Sequence, residues 1–231
     1  MQKTFHILGI DLGGCMSGNS AYIYAHVSHG HMTIIEAIKE PKHKDHVACQ
    51  EFIVDLFERL ELDAIAIDAP LSLPRPLLEP SFQTSPREGS GEIINPYLFR
   101  YTDYYLFKTY GLRPMPPAGD RIGRLTARAV ALLHHFEYEF PFITINAKKV
   151  PIYEVYPKQI AQSLGLEHYK KDPTKTLKCF KQKEQMDEHL VDALLCVYAG
   201  VEILKGNTPS IHSHSFGEGW CFPIHKQREE S

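Results

Sequence analysis

Two short runs constrain this chain more than anything else in it. Phe5-His6-Ile7-Leu8-Gly9-Ile10 is almost continuously apolar and ends on Asp11, and a tight turn, Leu12-Gly13-Gly14, follows at once. Ala64-Ile65-Ala66-Ile67 ends in the same way on Asp68, where Ala69-Pro70 stops the strand. Strands of a parallel sheet are buried on both faces and read as unbroken apolar runs. Open α/β sheets set their ligands just beyond the carboxyl ends of such strands. A single aspartate there is accounted for by the turn-capping habit of the residue. Two together favour a site, and carboxylates so placed can hold a divalent cation.

The pattern between and after these runs says how they are joined. Residues 5–11, 19–27 and 32–38 read as three strands, with connections short enough to require antiparallel pairing. Over 46–60, Ile53, Leu56, Phe57 and Leu60 recur at helical spacing. The fourth strand, 63–68, therefore arrives by a crossover and lies parallel to the first. Pro70, Pro74, Pro76, Pro80, Pro86 and Pro96 then break regular structure, and a stretch of that length reads as a functional lid or a mobile loop. Helical pattern returns over 97–110 and about 120–137. The fifth strand is 151–156, a short helix covers about 158–164, and the last helix is 186–204. The expected architecture is α/β: a mixed five-stranded sheet, its first three strands antiparallel, flanked by helices. It forms one domain over 1–231, with a Pro-rich and helical insertion at about 70–148. The charged tail, 223–231, is expected to fray.

Composition closes off several classes. With 43% hydrophobic and 11% aromatic residues the chain has ample material for a core and is not disordered. A net charge of −3 leaves no global basic field, which argues against a high-affinity nucleic-acid-binding module but not against an enzyme with a local basic face. Met1-Gln2-Lys3-Thr4 lacks the charged and apolar regions of a signal peptide, and no apolar stretch approaches the ~20 residues of a membrane span. Cys15, Cys49, Cys179, Cys196 and Cys221 are scattered, odd in number and without a CxxC pair, as suits reduced thiols in a cytoplasmic protein. Three histidine groupings, His29 with His31, His134 with His135, and His212 with His214, are read as surface histidines rather than a metal site.

The chemistry falls to acids. Glu154 lies inside the apolar fifth strand, where a carboxylate is costly unless paired or bound to metal. On the last helix Glu188 and Asp192 are four apart and share a face, and Asp192 stands where the helix turns apolar. Asp187 is better explained as an early-turn acid favoured by the helix dipole. Asp11, Asp68, Glu154 and Asp192, with Glu188 as a further ligand, thus form the candidate catalytic and metal set. Clustered acids raise one another's pKa, and hard oxygen ligands select Mg²⁺ or Mn²⁺ over zinc. Two such ions about 4 Å apart are the clamp used in phosphodiester hydrolysis.

A polyanionic substrate finds candidate partners in Arg121, Arg124 and Arg128, which recur on one helical stripe, together with Arg100 and Lys149. A solvated helix face is the competing account of that stripe.

Ile10-Asp11-Leu12-Gly13-Gly14, Ile67-Asp68-Ala69-Pro70-Leu71-Ser72-Leu73-Pro74, Glu154-Val155-Tyr156-Pro157 and Glu188-His189-Leu190-Val191-Asp192-Ala193-Leu194 together resemble the motif series of the domain of unknown function 429 family. Arg100 followed by Asp103, and the closing Glu218-Gly219-Trp220, resemble it too. The family is described as predicted nucleases with a ribonuclease H-like fold. The resemblance implies that fold and metal-site roles for Asp11, Asp68, Glu154 and Asp192. Segment 77–96 is longer and less regular than the family pattern.

The leading expectation is therefore a Mg²⁺- or Mn²⁺-dependent enzyme cutting phosphodiester bonds in DNA or RNA. Asp11 would bridge two metals, Asp68 and Glu154 complete the shell, and Asp192 bind the second metal or orient water. Resolvase-type cutting would require a homodimer. One alternative is phosphoryl transfer in the manner of actin-like kinases and ATPases, with Gly13-Gly14 as a phosphate cradle. Another is a nucleic-acid-binding protein that kept the fold without catalysis.

Overall fold

Side chains of β1 (Phe5–Asp11) alternate between two separate cores. A computed structural model of the chain describes residues 4–207, apart from 16, 30, 85, 167 and 174–185. Cys179, Cys221, the His212 and His214 pair, Glu218-Gly219-Trp220 and the charged tail lie outside the described residues. β1 is followed by β2 (Ala21–Ser28), β3 (His31–Lys39), the helix α1 (His46–Arg59), β4 (Ala64–Asp68) and the one-turn α2 (Arg75–Leu78). Next come α3 (Tyr101–Tyr110), α4 (Gly123–His135), β5 (Phe142–Ile145), β6 (Lys148–Glu154), α5 (Pro157–Ser163) and α6 (Glu188–Leu204). The strands form one sheet in the order β3-β2-β1-β4-β6-β5. β1, β2 and β3 are antiparallel neighbours, and β4 and β6 run parallel to β1. This is the expected mixed α/β sheet, with its first three strands antiparallel and the parallel strand after the crossover beside the first.

The sheet has six strands where five were expected. The extra one, β5, lies at the edge and pairs antiparallel with β6, inside the stretch assigned to the insertion. Its hairpin turns on Asn146 and Ala147, both at positive φ (49° and 63°). Two-residue hairpins of that kind usually announce themselves by Asn-Gly or Asp-Gly, and Ala147 hides the signal. Within the Pro-rich stretch, α2 and a single 3₁₀ turn (Glu92–Ile94) are the regular elements.

On one face Ile7, Ala64 and Ala66 pack under α6, together with Val155, Ile160 and the apolar side of α6 itself. On the other face Leu8, Ile10, Ile65, Ile67 and Ile152 meet α1 and α4, through Ile53, Phe57, Ala129 and Leu132. Both faces are covered, which explains why β1 and β4 lack polar alternation. Gly9 sets how near α6 approaches: a Cβ there would stand 2.2 Å from the Ala193 carbonyl oxygen. The first turn of α6 is capped by Asp187, whose side chain accepts from the Leu190 amide at 2.9 Å. That supports the capping reading of this acid. No helix among the described residues is long and apolar enough to cross a membrane.

Candidate active site

Asp11 and Asp68 are paired residues on neighbouring parallel strands, so their side chains stand on one face at the carboxyl edge of the sheet. Parity fixes which face: Ile7, four residues before Asp11, and Ala66, two before Asp68, pack under α6. α6 delivers His189 and Asp192, three residues apart and hence on one side of the helix. His189 Nδ1 bonds Asp11 Oδ2 at 2.7 Å. Asp192 is buried; its Oδ1 accepts from the Tyr169 hydroxyl at 2.6 Å, and its Oδ2 meets Lys170 Nζ at 2.6 Å. Asp68 is half-buried, and no hydrogen bond or ion pair reaches its side chain among the described residues.

The electrostatics follow from crowding. Burial, then the charge of Asp192, push Asp11 up to about 6, although the bond from His189 pulls the other way. Burial raises Asp68 well above the ordinary carboxylate range, and the charges of Asp11 and Asp192 add to it. Burial pulls the Lys170 ammonium down, but its bond to Asp192 and the fields of Asp11 and Asp68 more than reverse this. Two of the three carboxylates, Asp11 and Asp192, are thus held by His189, Lys170 and Tyr169, and Asp68 has no direct partner among the described residues.

Glu154 is elsewhere. Its register partner on β4 is Ile67, not Asp68, so its side chain leaves the sheet on the face opposite to Asp11 and Asp68. There the Arg100 guanidinium holds both carboxylate oxygens, at 2.7 and 2.6 Å. The Leu71 amide (2.9 Å) and the Tyr156 hydroxyl (3.1 Å) complete its bonding. The same guanidinium grips Asp103 through Nε and Nη2. Arg100 is fully buried, which corrects its expected role as a substrate contact: it ties the start of α3 to the tip of β6.

Arg128 needs a similar correction. Only 4% exposed, it donates to the Gly13 carbonyl and the Ser20 hydroxyl, both at 2.8 Å, and to both oxygens of Glu40. The expected stripe of three arginines is not formed: Arg121 precedes the first turn of α4, and Arg128 falls at the helix edge that turns inward. Arg121 and Arg124 are exposed. Arg124 lines a cavity of about 490 Å³ with Gly14 and Ser17, beside the turn that follows Asp11. Lys149 is exposed near the start of β6, the end of the strand opposite to Glu154, and is ion-paired with Glu139, which removes it from the expected substrate contacts. Glu188 is exposed on the first turn of α6.

A hard divalent cation suits the donor chemistry of Asp11, Asp68 and Asp192, which offer carboxylate oxygens and no sulfur. Even so, among the described residues no three His, Cys, Asp or Glu side chains gather closely enough to hold a metal ion. The single shell expected of Asp11, Asp68, Glu154, Asp192 and Glu188 is therefore not assembled. The register of β6 removes Glu154, and Lys170 and His189 hold two of the others. Gly13 is no phosphate cradle: its amide donates to Ser20 Oγ at 3.0 Å, and a Cβ on it would meet the Ser20 backbone nitrogen at 2.9 Å.

No family model matches this chain. No curated protein does either. Among solved structures it is similar to T. thermophilus RuvC in complex with a Holliday junction substrate, at 14% identity and a TM-score of 0.43, over 87% of this chain and 96% of that one. The likeness to the domain of unknown function 429 family thus stands on the motifs alone.

Sequence reasoning missed His189, Tyr169 and Lys170. The spacing of His189 to Asp192 was a usable signal, since residues three apart on a helix share a face. Tyr169 and Lys170 sit in irregular chain, where no periodicity points to a partner.

Proposed function

We propose that this chain is a divalent-metal-dependent nuclease that hydrolyses phosphodiester bonds in a nucleic acid at Asp11, Asp68 and Asp192. The observation that carries the reading is the in-register pairing of Asp11 with an Asp68 that no donor among the described residues satisfies. Burying such a pair is unfavourable, and a fold that needed only a turn cap would have no reason to keep it. Mg²⁺ or Mn²⁺, held by the paired Asp11 and Asp68 carboxylates, would supply a water of lowered pKa and positive charge for the phosphate oxygens.

The chain's own residues do the rest. His189 fixes the orientation of Asp11 through a 2.7 Å bond. Tyr169 and Lys170 do the same for Asp192, and the Lys170 ammonium is a cation already set beside the reacting edge. Arg124, next to the Gly13-Gly14 turn, is positioned to take a neighbouring phosphate of the strand. Arg128, gripping the Gly13 carbonyl, keeps that turn in place and is a positioning residue.

The test is cleavage of labelled single-stranded, duplex and branched DNA and RNA with Mg²⁺ or Mn²⁺, comparing the natural chain with Asp68→Asn. The expected result is divalent-dependent cleavage that Asp68→Asn abolishes. Equal cleavage by both proteins, or cleavage by neither across the panel, overturns the reading.

A further inference from the structure

Away from the carboxylates, between α3 and α5, lies a cavity of about 270 Å³. Its wall includes Gln159, a residue 2% exposed whose side-chain nitrogen and oxygen both lack a hydrogen-bond partner. Folded proteins leave few buried polar groups unpaired, and one amide orphaned at both ends is unusual. Leu106 and Leu112 supply apolar wall. The charged side chains that line the cavity are Lys158 and Arg113, both positive, with no acid among the lining residues. Neither makes an ion pair among the described residues, and the Arg113 guanidinium lies 5.9 Å from the Phe107 ring centroid. Tyr156, also in the wall, donates its hydroxyl to Glu154 at the carboxyl end of β6.

We propose that this cavity is a base-recognition subsite that takes one purine base of a nucleotide, read by Gln159, with its phosphate on Lys158 and Arg113. A carboxamide offers a donor and an acceptor side by side, the complement of the N6–H and N7 edge of adenine. The apolar wall of Leu106 and Leu112 suits the face of a base. The volume, at the small end for ligand pockets, suits one nucleotide and not a longer stretch. Two unpaired cations with no acid nearby call for an anion. The choice of a nucleotide over another amide-bearing anion rests on the nuclease reading above; the need of Gln159 for a polar partner does not.

The test is calorimetric titration of the full chain with AMP, CMP and ribose 5-phosphate in the absence of divalent cation. AMP is expected to bind more tightly than ribose 5-phosphate by roughly 5- to 150-fold, the range of one bidentate base contact. CMP is expected to fall between them. Gln159→Leu, and Gln159→Met as a second variant, should erase the AMP preference while the melting temperature holds or rises, because an unsatisfied amide is removed. Lys158→Ala should weaken AMP and ribose 5-phosphate alike. AMP binding no tighter than ribose 5-phosphate, CMP equal to AMP, or a preference that survives loss of Gln159 overturns the proposal. Asp68→Asn should bind AMP as the natural chain does. AMP binding without any cleavage thus sinks the nuclease reading alone, and cleavage by a protein blind to AMP sinks the base site alone.

Discussion

Asp68 stands beside Asp11 on the adjacent parallel strand, the two paired in register, and Asp11 has His189 as a partner while Asp68 has none among the described residues. Burial first, and then the charges of Asp11 and Asp192, raise the Asp68 pKa well above the ordinary carboxylate range, with no direct partner among the described residues to offset them. Replacing Asp68 with asparagine removes its charge at nearly constant volume. Asp68→Asn is therefore expected to be more stable than the natural chain at pH 7.5, with a higher urea midpoint. Millimolar Mg²⁺ or Mn²⁺ should raise the melting temperature of the natural chain and leave that of Asp68→Asn almost unmoved. A variant less stable than the natural chain would count against the crowding.

The pH dependence has a definite sign. Asp11 ordinarily titrates near 3.8 and in the folded chain is pushed up to about 6. Between those values the folded protein holds a proton that the unfolded chain has released, so stability from this group is full below the lower value and is lost as pH rises through the upper one. The loss is about 2–3 kcal/mol, taken from the width of the window. Urea midpoints of the natural chain and Asp11→Asn, compared from pH 3.5 to 7.5, should diverge across this window, with the variant gaining as pH rises. Parallel curves would remove the crowding of Asp11 from the account.

Arg100 neutralises two buried carboxylates, Glu154 and Asp103, each within 2.6–2.8 Å of its terminal nitrogens. Arg100→Met strands both charges and should destabilise by about 3–5 kcal/mol, the usual result of breaking a buried pair from one side. Adding Glu154→Gln and Asp103→Asn should restore much of the loss. Thermal unfolding of the single and triple variants decides this.

Gly9→Ala drives a methyl into the Ala193 carbonyl oxygen, with Val197 Cγ2 only 2.6 Å away as well. Since the nearest atom is helix backbone, α6 must retreat from β1. The expected loss is about 3 kcal/mol or more. It should bring weaker cleavage with it, because His189 and Asp192 move with the helix. Circular dichroism melts and cleavage rates on the same preparation should fall together.

The two arginines on either side of the α4 edge should separate cleanly. Arg124→Ala leaves the core intact and should weaken nucleic-acid binding while reducing the slope of log affinity against log salt by about 0.7–0.9. Arg128→Ala should lower the melting temperature, since it strands Glu40 and frees the Gly13 carbonyl. Fluorescence anisotropy over a salt series, with melts of both variants, reads the difference.

What the sequence determined by itself was periodicity. Unbroken apolar runs ending in Asp11 and Asp68 announced two parallel strands with a ligand edge, and short turns announced the antiparallel trio before the crossover. That information is local, because side-chain spacing sets which faces are apolar before any contact forms. The hairpin of β5 escaped because Asn146-Ala147 adopts the turn without its usual glycine. What only the tertiary structure decided was register and partnership. Strand parity between β4 and β6 is invisible in either strand alone, and one residue's slip moves every side chain to the other face. Set opposite Ile67, Glu154 turns away from Asp11 and Asp68 and into the hands of Arg100. Arg128 looked like a phosphate ligand for the same reason: the stripe gave its angle on the helix, while the buried Glu40 that claims it lies 88 residues away in the chain. His189 reaches Asp11 only because Gly9 lets α6 settle close against β1. The acids could be named from the chain; which of them face one another could be known only once the sheet had closed.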